Sequence, residues 1–568
     1  MRRVAALLCI AFAITLPAAA QDAALTQRIL QMVDRPIFRH STVGVEVYDQ
    51  TTGKTLVTIN PQQLFTAGST TKLVTEGSAL ALLGEDFRFH TRVFYTGNIT
   101  EDGTLEGNLI LVAGGDPNLS GRVMPDDTLD FTARDHAYAG LLPGNSVAGE
   151  PLRVMKELAS GVLMRGIWRV RGNIVVDTSL FVTDQIEPAT HTAISPVMLN
   201  DNVIDVIATS ARNEGGPVAI QIAPELPYLK VINHVRTGKP NSDAEMRFTS
   251  DVQEADGSHT VVIEGNVPAG RETAQAAYKV KDPARYAEEG FREALRWAGV
   301  VVQSPFVDPG GATAPRAAGN RTFLVEHVSP PFKEEVKLTL KVSQNLHAAT
   351  TPFLVGALVG HHSTDAQLHG LALEHHFLAE NGLDPESVSQ LDGEGGVGSA
   401  FSPDFMVRYL EMISHRPYGR WFYECLPVLG RDGTLAEILQ DSPAVRHVHA
   451  KTGSYVVSNT LNGSVMLLGK GLAGYVDGAN GHRLIFAAFV NMVPLHNMDE
   501  VSDVGDVLAK IAAAAYESTV PPQTANKPAA AKAPTRMPGK VSAKPAAHKT
   551  TQRTARKPAK KILKPAQN

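Results

Sequence analysis

The chain has 568 residues, room for roughly three to five domains. Its 43% hydrophobic and 20% charged residues are ordinary for a globular protein, and two cysteines exclude a disulfide scaffold or a cysteine-rich zinc module. The formal charge of −5 conceals two regions: fourteen of the 53 basic residues lie in residues 1–20 and 518–568, leaving 39 basic against 58 acidic residues between them.

Residues 1–20 join a basic start, Arg2 and Arg3, to an apolar stretch from Val4 to Leu16 and the small residues Ala18–Ala20. This is the pattern of a secretory signal peptide, whose removal takes Cys9 with it. Cys425 then remains as a single thiol, in an apolar setting that predicts a buried, inert side chain. Ser41–Asn60 alternates and turns at Thr52-Gly53, which predicts a β-hairpin, and Leu64–Leu83 follows with helical spacing. Strands are expected at Leu105–Val112 and Gly172–Asp177, a turn at Gly114–Pro117 and a helix at Met155–Arg165. Residues 186–285 are β-rich, with strands such as Val218–Ile222 and Thr260–Gly265, while Arg236-Thr237-Gly238 reads as a turn. Pro283–Ala298 reads as a helix opened by its proline. Helices are expected over Val336–Val359, Thr364–Asn381 and Asp404–Ser414, and strands over Gly463–Leu468 and Leu484–Asn491. From Ser518 onward, 12 Lys+Arg, eight Pro and no acidic residue predict a disordered basic tail. Its charge suits anionic wall polymers or a membrane surface; outside the cytoplasm, nucleic acid is not the expected partner.

Three short motifs occur in order: Ser69-Thr70-Thr71-Lys72, Ser343-Gln344-Asn345 and Lys451-Thr452-Gly453. Each alone has a plainer reading, as a helix start, an N-cap or a turn. Together they are the set of a serine nucleophile with a lysine base. A helix starting at Thr70 puts Ser69 and Lys72 on one face, near an N-terminus that favours negative charge on the attacking oxygen. A lysine serves as base only when its pKa falls; burial and a second cation both lower it, and Lys451 is the candidate cation. Ser343 can shuttle a proton between Lys72 and a leaving amine, and the Asn345 amide can hold a substrate carbonyl and orient Lys72. Lys451 and Thr452 can bind a substrate carboxylate. Gly453 lets a substrate lie against the strand edge, and the Ser454 backbone N–H can complete an oxyanion hole with that of Ser69.

With these motifs the chain resembles the class C low-molecular-mass penicillin-binding proteins, the D-alanyl-D-alanine carboxypeptidase/endopeptidase group. Further similar segments are Phe65–Thr75, Gly107–Leu119, Gly172–Phe181, Leu199–Val206, Leu340–Ala348, Leu426–Leu435 and Ala450–Ser454, so the likeness spans roughly residues 25–515. The 274 residues from Ser69 to Ser343, against 108 from Ser343 to Lys451, match the family's two insertions. The resemblance implies a multidomain α/β protein: a split serine β-lactamase/transpeptidase-like domain (21–95 and 325–517), an inserted domain (96–185 and 286–324) and a β-rich domain nested in it (186–285). It implies a periplasmic serine DD-peptidase without metal or cofactor. Peptidoglycan stem peptides would be its substrates, and β-lactam antibiotics would acylate Ser69. A β-lactamase or esterase of the same chemistry, and a non-catalytic wall-binding protein, are the alternatives.

The chain departs from the family pattern in three places. Ala67-Gly68 stands where the family usually has Pro-Ala, and the usual Asp-Gly-Ser-Gly loop reads Asp392-Gly393-Glu394-Gly395, with Glu394 expected near the site. Extra sequence after Leu461-Asn462-Gly463 suggests a loop overhanging the cleft. His361, His362, His369, His375 and His376 are spaced around a helix, which reads as a solvated face and not a metal site. Asp184 and Glu187 lie in the stretch that, by the resemblance, can supply an acidic group for a side-chain amine of the peptide.

Overall fold

The computed structural model describes residues 22–132, 134–139, 146–147, 149–303 and 320–521. The stretch expected to be a signal peptide, with Cys9, lies outside these residues, as does the expected tail from residue 522 on. The first tail residues are ordered: Ser518 ends a helix, and the Thr519 hydroxyl accepts the Ala479 N–H at 2.8 Å.

Both ends of the chain build one antiparallel sheet, in the order Val448–Asn459, Ser464–Asp477, Arg483–Leu495, Thr42–Asp49, Lys54–Ile59. Alternation decides which side each residue serves. Along Arg483–Leu495, Leu484, Phe486 and Ala488 pack with Leu25, Ile29 and the terminal helix Glu500–Ser518, while Ile485, Ala487 and Phe489 face the helical core on the opposite side. That core surrounds the helix Thr71–Leu83, whose residues 71–80 are all buried. A helix buried on every side, Lys72 and Glu76 included, is central to its core.

The chain leaves this unit through the strand His90–Tyr95 and returns through Thr322–Val328, and the two pair with each other. Between them a four-stranded sheet (Thr322–Val328, His90–Tyr95, Leu109–Val112, Ile174–Asp177) packs with the helices Arg153–Met164 and Pro283–Ala298. A second excursion runs from Val203–Thr209 to Thr273–Lys279, again with its ends paired. It encloses a further three-stranded sheet, Leu229–Gly238, His259–Pro268, Glu245–Gln253.

Several expected elements shift for local reasons. The helix expected from Leu64 begins at Thr71, because Phe65-Thr66 pairs with Ala400-Phe401 first. The strand Leu105–Val112 is broken at Gly107, where a Cβ would lie 1.8 Å from the Thr96 carbonyl oxygen. Val336–Val359 is two helices, Phe332–Val342 and Asn345–Leu358, parted at Ser343. Arg236-Thr237-Gly238 ends a strand and is not a turn. The sequence after Lys451 is a long β-hairpin, because Val448–Asn459 and Ser464–Asp477 stay paired to the turn at Leu461. The helix Ala366–Glu380 carries exposed His375 and His376, but also Glu374, which is buried against Gln390.

This helix crosses Asn345–Leu358 at backbone contact. A Cβ on Gly370 would lie 1.8 Å from the Pro352 carbonyl oxygen, and one on Gly356 1.8 Å from that of Ala366. Overpacking of this kind costs about 1–3 kcal/mol. Gly370→Ala is therefore expected to lower the unfolding free energy by that much, read as a lower urea midpoint with an unchanged slope; an unchanged midpoint would show that the helices are not this close.

Candidate active site

Ser69 lies in the 3-10 turn Gly68–Thr70, immediately before the buried helix. The turn is closed by Thr70 Oγ1 donating to the Ala67 carbonyl at 2.7 Å. One helical turn places Lys72 beneath Ser69. Its side chain has no solvent exposure, and Nζ lies 2.8 Å from Ser69 Oγ, 2.7 Å from Asn345 Oδ1 and 3.2 Å from the Glu394 carbonyl oxygen. A neutral amine fits these three neighbours: its two N–H groups donate to Asn345 and Glu394, and its lone pair faces the serine hydroxyl. Burial drives the Lys72 pKa down, partly offset by nearby carboxylate charge, that of Glu187 included.

Ser343 occupies the left-handed region (φ 62°, ψ 37°) between two helices. Glycine is the usual residue there, but only a hydroxyl reaches Lys451, whose Nζ donates to Ser343 Oγ at 2.8 Å and to the Thr452 carbonyl at 2.9 Å. Lys451 is fully buried. Burial, then Lys72 and Lys470, hold its pKa well below the usual lysine range. The two lysines thus sit against two half-buried hydroxyls.

The departure at Glu394 has a structural basis. Asp392 Oδ1 accepts the N–H groups of Glu394, Gly395 and Gly396 at 3.0, 2.7 and 3.1 Å, which folds the loop around one carboxylate. Gly395 (φ 99°) passes so close that a Cβ would lie 1.9 Å from the Gly68 carbonyl oxygen. The loop thereby presents the Glu394 carbonyl to Lys72 and buries the Glu394 carboxyl against Glu187. Burial and the charge of Glu187 raise the Glu394 pKa to about 10. Glu187 stays below the usual glutamate range despite its burial, through hydrogen bonds from Glu394, Thr190 and the backbone of Ala189 and Thr190. Glu187 also accepts from Asn345 Nδ2 at 3.1 Å, fixing the amide so that its oxygen faces Lys72. Glu187 is thus turned inward, while Asp184 is exposed.

The structure therefore brings Ser69, Lys72, Ser343, Asn345 and Lys451 together. Thr452 is beside them, its hydroxyl 3.0 Å from that of Thr434, a neighbour the motifs did not single out. Gly453 is required by the protein's own packing: a Cβ would lie 2.2 Å from the Ala67 carbonyl oxygen and 2.8 Å from Thr70 N. Ser454 is exposed and its hydroxyl accepts from Lys470 at 2.6 Å. Its backbone lies over Gly68, where a Cβ would come within 2.7 Å of Ser454 N. Sequence reasoning missed the Asn345–Glu187 contact, for which no local signal exists. It also gave no role to Gln344, although the residue stood inside a motif. Cys425 is buried, and burial pushes its thiol pKa up, in keeping with an inert side chain.

A D-alanyl-D-alanine carboxypeptidase of Actinomadura sp. is 26% identical over 478 residues, covering 80% of this chain and 79% of the relative. The D-alanyl-D-alanine carboxypeptidase DacB of Haemophilus influenzae is 22% identical, covering 79% and 85%. The crystal structure of penicillin binding protein 4 from H. influenzae shares the fold, with a TM-score of 0.61 at 20% identity over 85% of this chain and 98% of that one. Residues 25–515 match the D-Ala-D-Ala carboxypeptidase 3 (S13) family, and the chain belongs to that family of serine-type peptidases.

Proposed function

We propose that this D-alanyl-D-alanine carboxypeptidase works through an acyl-enzyme on Ser69, with Lys72 as the base. The observation that carries the reading is the contact between Lys72 Nζ and Ser69 Oγ, made by a lysine with no exposure to water. Neutral Lys72 takes the Ser69 proton as Oγ attacks the carbonyl of the penultimate D-Ala. The backbone N–H groups of Ser69 and Ser454 hold the developing oxyanion. The proton passes from Lys72 through Ser343 to the departing amine, so that D-Ala leaves neutral at nitrogen and Lys72 returns to its starting state. Lys451 and Thr452 hold the terminal carboxylate of the substrate. Water then hydrolyses the ester, Lys72 taking its proton and returning it to Ser69 Oγ as the acyl bond breaks.

The substrates in this reading are peptidoglycan stem peptides, cut as a carboxypeptidase and, where a cross-link supplies the amine, as an endopeptidase. β-Lactams acylate the same serine; a solved structure of the H. influenzae protein is complexed with a novel β-lactam. The place of action is the periplasm. No described helix is long and apolar enough to cross a membrane, and the basic tail is suited to anionic wall polymers.

Three expectations follow from these roles. A fluorescent penicillin should give a stable one-to-one adduct by intact mass, absent in Ser69→Ala, and Lys72→Ala should slow acylation by about 10²–10⁴-fold. Rapid loss of the adduct would identify a β-lactamase instead, and a folded chain with no adduct a wall-binding protein. The third expectation concerns pH. Acylation should rise with pH as Lys72 loses its proton. Glu187→Gln removes a carboxylate that stabilises the ammonium form, so this limb should move to lower pH. Glu394→Gln replaces a group already neutral at pH 7 and should leave the limb in place. Equal shifts in the two variants would show that Glu394 is ionised.

A further inference from the structure

Ser343 is held from outside the catalytic sheet. Tyr138, which lies within the first excursion of the chain, donates its hydroxyl to the Ser343 carbonyl at 2.6 Å. Gln344, the next residue along, is fully buried. Its Oε1 accepts the Leu346 N–H at 2.9 Å, while Nε2 donates to Asp135 at 3.1 Å and Asp201 at 3.3 Å. These carboxylates are themselves fixed. One Arg122 nitrogen donates to Asp135 at 2.7 Å and to Asp201 at 2.6 Å. Asp201 also pairs with His136 at 2.8 Å and with His347 at 3.1 Å. All five side chains are at most 2% exposed.

The backbone is unusual at both ends of this clamp. Ser343 is left-handed, and so are three consecutive residues around the central carboxylate, Asn200, Asp201 and Asn202, with φ of 48°, 56° and 51°. Such conformations persist only where surrounding contacts over-determine them. Asp135, His136 and Asp201 have the side-chain types of a metal site, but the Arg122 guanidinium already bridges the two carboxylates, so the protein supplies the cation itself.

We infer that Tyr138, with Gln344 held on the Arg122–Asp135–Asp201 cluster, is a positioning element for Ser343: it fixes the left-handed turn that aims the Ser343 hydroxyl at Lys451 and into the proton path. The inserted part of the chain thereby sets the leaving-group step. Misplacement of a proton-relay group by about 1 Å can cost 10²-fold. The loss should appear where the leaving group must be protonated, in an amide, and much less in a thioester, whose thiolate leaves without a proton.

This inference rests on the serine-peptidase reading, and one experiment separates the two. The full chain, Tyr138→Phe, Gln344→Met, Ser343→Ala and the Tyr138→Phe/Ser343→Ala double variant are assayed on a D-Ala-D-Ala peptide and on a matched thioester. Melting temperatures and penicillin adducts are measured alongside. If the full chain forms no adduct and turns over neither substrate, the peptidase reading fails. If it is active, Tyr138→Phe is expected to lower kcat for the peptide at least about tenfold with KM unchanged. It should lower thioester turnover less than about threefold, keep the wild-type melting temperature and add nothing to the loss in Ser343→Ala. Gln344→Met should show the same amide-selective loss, which covers the case of a poorly folded Tyr138 variant. Unchanged peptide turnover, equal losses on both substrates, or a loss that adds to that of Ser343→Ala would each overturn the inference.

Discussion

The removal of two lysine side chains from water is the constraint on which the rest of the site depends. A buried ammonium group is strongly disfavoured, and a buried amine is an effective base. Both Lys72 and Lys451 are fully enclosed, so their chemistry is set by what touches them. Lys72 has three polar neighbours in fixed positions, from the nucleophile turn, the helix Asn345–Leu358 and the loop at Asp392. Three elements distant in sequence must converge within hydrogen-bonding reach of one nitrogen. Much of the local architecture can be read as a means to that convergence.

Close backbone approach is how it is achieved. Gly453 lets the edge strand touch the nucleophile turn, Gly395 lets the Asp392 loop touch it from another side, and Gly393 lies against the Ala348 carbonyl, where a Cβ would come within 1.9 Å. Pro352, four residues after Ala348, has no N–H to offer that carbonyl. The gap it leaves is where the loop docks. A proline that looks like a flaw in a helix thus seats the loop that places Glu394.

The chemistry was more legible in the sequence than the support for it. The five residues that converge on the site were found because each lies in a short motif, two of them with spacing set by one helical turn or one strand. A split first domain was implied by the family resemblance, with which the long interval between the first two motifs agrees. What the sequence could not convey was where a motif bends. Ser343 reads as part of a helical pattern because its neighbours are apolar at helical spacing, and only tertiary contacts from Tyr138 and Gln344 make it the break between two helices. Glu187 was read, from the family resemblance, as lying in a stretch that can supply an acidic group for a side-chain amine of the peptide. Its inward turn depends on Glu394, a residue more than 200 positions away, and on Thr190 beside it. Gly453 was singled out for a substrate contact; in the structure the strand edge meets the protein's own turn at that point.

The way the chain returns to its first sheet also bears on how the protein is made. Thr42 pairs with Asn491 and Asp49 with Leu484, so the central partner of the first hairpin is synthesised last. Until then the hairpin Thr42–Ile59 is a two-stranded ribbon with an open edge, a form that is marginal in water and prone to wrong pairing. The strands His90–Tyr95 and Thr322–Val328 meet well before that point. Their pairing gathers the whole excursion, and roughly halving the remaining loop lowers its closure cost by only about 0.6 kcal/mol. The gain is one of sequence in time: the inserted part can complete its own core while the catalytic sheet waits for its last strand.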